Sequence, residues 1–157
     1  MINKLQTKLA KFNTLPLADK MMFVAATLSL PWVWLALQLL GLRRLQAWLQ
    51  TPSTAESNPI VTHTQQVAAK HIAIVVNRAA QQPFVPATCL SRSLYLQWLL
   101  NRHGIASQVR IGIDKTTGVF KAHAWVECAG IPINDQPDIA KNFAVFPERP
   151  PYHAETK

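Results

Sequence analysis

The sequence predicts an α+β domain in which helices come first and an antiparallel sheet closes the chain. Three observations carry that expectation. Apolar residues recur at spacings of three and four between residues 61 and 103. Gly104 ends that pattern, and beyond it the apolar period changes to two. Ala129–Gly130 then separates two short extended runs, so consecutive strands pair as a hairpin.

Taken in order, residues 1–50 form a helix-prone, leucine-rich hydrophobic region. Met21 to Leu42 carries no charged side chain and is long enough to span a bilayer. Lys4, Lys8, Lys11 and Lys20 precede it, which opposes the positive-inside tendency if the remainder is cytosolic. Pro31 is expected to break it in the middle. The alternatives are a kinked helical hairpin buried against the domain, a helix lying on a membrane surface, and a true span. The apolar run starts too late for a cleaved signal peptide.

Residues 51–58, TPSTAESN, read as a linker. A helix follows, with Val61, Val67, Ala68, His71, Ile72 and Val75 near one face. A second helix opens at Cys89 behind a Thr88 N-cap, with Leu90, Leu94, Tyr95, Trp98 and Leu99 as its stripe. ASQVRIGI alternates as a strand, DKTTG turns, and VFKAHAWVEC is the next strand. IPIND returns as its partner, and FAVF adds a short last strand. Residues 59–147 form the folded domain and 148–157 a solvated tail.

Bulk composition narrows the function. The chain has 157 residues and a formal net charge of +8. The basic residues are scattered, without the stripe that nucleic acid requires, so no nucleic-acid partner is expected. Two cysteines far apart form no secreted disulfide framework, and a reducing, cytoplasmic compartment is the reading. There is no CxxC, HExxH or phosphate-binding P-loop, so neither metal nor cofactor is implied.

The chemistry concentrates in three residues. Cys89 stands in the first turn of a helix, where unpaired N–H groups favour a thiolate or an oxyanion. By itself it reads equally as a small buried apolar side chain. His123 lies mid-strand and shares a face with Trp125 and Glu127. A three-residue loop, Cys128–Ala129–Gly130, would set Trp125 opposite Ile133 and His123 opposite Asp135. A two-residue loop would turn Asp135 to the other face. In the first register the Cys89 helix covers the Trp125–Ile131–Ile133 face, and Cys89, His123 and Asp135 converge as nucleophile, base and orienter. Arg92 is a candidate for a substrate carboxylate or a structural ion pair, and Trp125 for a cleft wall or the core. Glu127 is placed to pair with Arg92 or Arg110, and Cys128 has no visible activator.

CLSRSLYLQWLLNRHGI, then VRIGI, then FKAHAWVECAGIPIND resembles the transglutaminase-like leader peptidases of lasso-peptide biosynthesis, the B2 proteins. The resemblance covers about residues 59–147. It implies a transglutaminase-like, papain-like core in which the Cys helix packs on an antiparallel sheet. It implies a cysteine peptidase that removes the leader from a ribosomally made precursor peptide. Cys89 would be the nucleophile, His123 the base and Asp135 its orienter. Residues 1–50 show no strand pattern, so the leader-recognition domain of fused members is not expected within them. The implied partners are the precursor, a separate leader-recognition protein of the B1 type, and an ATP-dependent lasso cyclase. Residues 21–42 add a membrane surface. An amidase, deamidase or acyltransferase would use the same triad, and a non-catalytic membrane-associated scaffold would use only the hydrophobic region.

Overall fold

A computed structural model describes residues 16–49, 61–114 and 121–146. The expected linker, the tail and most of the DKTTG turn lie outside the described residues. Three long helices come first: α1 (Leu17–Leu49), α2 (His63–Ala80) and α3 (Cys89–Arg102). Then come β1 (Gln108–Asp114), β2 (Ala122–Cys128), β3 (Ile131–Pro132), α4 (Ile139–Asn142) and β4 (Phe143–Val145). The four strands form one sheet in the order β3-β2-β1-β4, antiparallel throughout. This is the α+β order read from the change of period.

The N-terminal helix differs from expectation in where it bends. α1 runs through Pro31 without a break. An interior proline removes one helical hydrogen bond and costs about 3 kcal/mol, but the neighbouring Leu30 is anchored in the core. The interruption sits instead at Gly41, whose φ of 74° and ψ of 166° leave the helical region. Positive φ is open to glycine at no steric cost. α1 is no separate module. Ala26 and Leu30 are fully buried in one cluster with α2, α3 and β2 residues, among them Ala73, Val76, Leu96 and Val126.

α2 opens on a capping box, Thr62 with Gln65. Its buried face is Ala69, Ile72, Ala73, Val75, Val76 and Ala79. Of the expected stripe, Ile72 and Val75 are buried and Val61 and Ala68 pack against the core, but Val67 is exposed and His71 reaches Asp19 of α1 at 3.1 Å. Small alanines let α1 and α3 approach closely, which bulk-weighted periodicity undervalues. α3 opens on Thr88 with Ser91 as its box partner. It ends at Gly104, φ 68°, with Ile105 N–H donating to Leu100 C=O and Gly104 N–H to Asn101 C=O. That is a Schellman closure.

The β2–β3 hairpin has a two-residue loop, not the expected three. Cys128 pairs with Ile131 and Glu127 with Pro132. Ala129 (φ 50°) and Gly130 (φ 76°) both take positive φ, as a type I′ turn requires. An alanine rarely accepts that conformation, which is why the longer loop is the natural reading. The faces also differ. α3 packs on the Ala124–Val126–Cys128 face of β2, and Trp125 is covered on the other by Ile139 and Phe143.

Candidate active site

Cys89 is the first residue of α3, half-buried, with Thr88 as N-cap. The box works in both directions: Ser91 N–H donates to Thr88 Oγ1 at 3.2 Å and Thr88 N–H to Ser91 Oγ at 2.9 Å. The first turn carries no acidic residue. The cap leaves the N–H groups of Cys89 and Leu90 without an intrahelical acceptor, an arrangement suited to a developing oxyanion.

His123 projects from β2 and binds Asp135 through Nε2, 2.7 Å from Oδ2. A carboxylate only accepts, so the Nε2 proton donates and the neutral ring carries its lone pair on Nδ1. Asp135 Oδ1 also accepts the Gln136 N–H at 2.9 Å, which fixes the carboxylate plane.

The two-residue loop was expected to abolish this pair, and it does not. The reason is that the strand stops. β3 ends at Pro132, although Ile133 N–H still donates to Val126 C=O at 3.0 Å. Asn134 then replaces the ladder with its side chain: Oδ1 accepts the Val126 N–H at 2.7 Å. Its Nδ2 donates to Ser93 Oγ at 3.3 Å, and Ser93 donates to Ala124 C=O at 3.1 Å. Asn77 Nδ2 of α2 donates to the Asn134 carbonyl at 3.1 Å. The chain leaves the register at this clamp, and Asp135 reaches His123 past the open edge of β2.

The same clamp ties the site to α3. Ser93 and Arg92 lie four and three residues after Cys89, hence on its side of the helix. Arg92 Nη2 stands 3.9 Å from Asp135 Oδ2, an ion pair longer than a hydrogen bond, and its buried Nε has no partner. So His123, Asp135 and Arg92 come together, on the flank of the helix that begins at Cys89. The thiol makes no hydrogen bond to the imidazole in this state; such contacts often close only on substrate.

Trp125 is fully buried and backs the imidazole, with ring centroids 6.3 Å apart and planes within 21°. Phe143 lies 5.4 Å from the His123 centroid. Gly112, opposite His123 in β1, makes room for both: a Cβ there would stand 2.8 Å from Phe143 Cβ and 3.2 Å from Trp125. Glu127 pairs with Arg110 at 3.0 Å and accepts the Trp125 indole N–H at 2.9 Å. Cys128 is fully buried on the helix side of the sheet, and that burial pushes its thiol pKa up. Sequence reasoning missed Ser93, Asn134, Gly112 and Phe143. Asn134, a polar residue inside an apparently alternating strand, was the one readable signal.

A cysteine at a helix start, a strand histidine and an aspartate holding that histidine can form and resolve a thioester. A family model described as the transglutaminase-like superfamily matches residues 30–148. The match begins inside α1, in keeping with the burial of that helix in the domain core. No curated protein and no solved structure matches the chain. With most of its length matched, and with a Cys helix packed on an antiparallel sheet, the chain belongs to the transglutaminase-like superfamily, whose members are typically cysteine-dependent enzymes.

Proposed function

We propose that the protein is a cysteine peptidase that removes the leader from a ribosomally made precursor during lasso-peptide maturation. The observation that carries the chemistry is the 2.7 Å His123–Asp135 bond through Nε2. It leaves Nδ1 free to act as the ring's base, which in this reading serves the Cys89 thiol. The substrate rests on the resemblance of the Cys89 helix and the His123 strand to the lasso leader peptidases.

In this reading the Cys89 thiol passes its proton to His123 Nδ1 and the sulfur attacks the carbonyl carbon of the last leader residue. The oxyanion meets the Cys89 N–H. The tetrahedral adduct collapses, the C–N bond breaks, and the imidazolium gives its proton to the leaving amine of the core peptide. Water, deprotonated by the same ring, then hydrolyses the leader thioester. Asp135 holds the tautomer throughout. The freed amine is what an ATP-dependent cyclase joins to a side-chain carboxylate, and a separate leader-recognition protein delivers the precursor.

The test is mass spectrometry of the precursor mixed with this protein and the recognition partner. Cleavage by the wild type and none by Cys89→Ala supports the proposal. Equal cleavage by the variant, or intact precursor with both, contradicts it.

A further inference from the structure

The outer face of α1 has no role in the reaction and no cover among the described residues. Leu17, Met21 and Val24 are exposed, and Leu28, Trp32 and Leu35 repeat them eleven residues on. Trp32 is 71% and Leu28 65% exposed. Ala26 and Leu30, on the opposite side, are sealed against the body. The helix is thus apolar on two faces, and the domain accounts for one.

We propose that this stripe docks the protein flat on an anionic lipid bilayer. The eleven-residue repeat keeps the stripe nearly parallel to the helix axis, as a plane requires. Charge points the same way. Asp19 is the only acid in the first fifty residues, and it is turned inward to His71 at 3.1 Å. Arg43 and Arg44 are exposed beyond the stripe, and Lys4, Lys8, Lys11 and Lys20 precede or open it in sequence. A tryptophan amid leucines with basic flanks is the composition of an interfacial helix.

Length and composition alone would let α1 cross a membrane over Leu17–Gln46. Its packing opposes that. A span would strip Ala26 and Leu30 from the cluster they share with Leu96, Leu100 and Val126. Lying in the interface keeps that cluster and buries only the outer stripe.

The test is sedimentation of the full chain with phosphatidylcholine vesicles, with and without phosphatidylglycerol. Binding to the anionic vesicles, weakened by salt and at least about tenfold by Leu28→Glu or Trp32→Glu, is the expected result. Both variants should keep the wild-type circular dichroism melt, since neither side chain is in the core. Unchanged partitioning of the variants, equal affinity for neutral vesicles, or no binding would overturn it. So would bound protein that resists alkaline carbonate, which marks a span. A dimer in light scattering that Leu28→Glu dissociates would assign the stripe to a second copy instead. None of these readouts involves peptide cleavage, so the proposal stands or falls apart from the reaction.

Discussion

Asn134 shows how one side chain can place another. Its amide takes the hydrogen bond that a longer β3 would have supplied to Val126, and the chain is released at that point to carry Asp135 to His123. Local alternation reads an asparagine there as one more strand residue, so the pair was legible in the sequence but the route to it was not. The two cysteines were better separated by position alone: one opens a helix, the other closes a strand. Cys128 is fully buried and its thiol pKa is raised by burial, whereas Cys89 is partly open. Iodoacetamide on the native protein near neutral pH should therefore label Cys89 and spare Cys128, with both labelled after denaturation. Peptide mapping reads this directly, and native labelling of Cys128 would count against the structure.

At the scale of elements, caps and stops were the most readable features. Thr88, Gly104 and the change of period each act through a few neighbouring backbone groups, and each stands where the residues placed it. What failed depended on partners distant in sequence. On α2 the alanines that face α1 and α3 take the place expected of Val67 and His71, and the β2 face is set by whichever element arrives to cover Trp125. The hairpin loop failed for a different reason, because Ala129 takes positive φ against its preference. That strain, about 1 kcal/mol, is recoverable. Ala129→Asn should raise the stability by roughly that amount in urea unfolding, since asparagine tolerates the left-handed region and the position is exposed. A destabilised variant would mean the turn is not type I′.

Across the whole molecule, the hydrophobic N-terminal region and the catalytic fold are one body. A reading by composition divides them at the linker, because charge-free leucine runs look like anchors. Packing joins them through Ala26 and Leu30. Leu30→Ala should accordingly cost the domain about 2–5 kcal/mol, as burial in a shared core implies. An appended anchor would lose nothing measurable in thermal unfolding from the same substitution.

In the proposed reaction Cys89 attacks the precursor with His123 and Asp135 behind it. It is tested most directly by acid-quenching the reaction with precursor and recognition partner, then taking the intact mass of the protein. The expected result is a transient adduct of the leader acyl group, mapped to the peptide containing Cys89. Cleavage that proceeds with no adduct at Cys89, or with the adduct on Cys128, would contradict it.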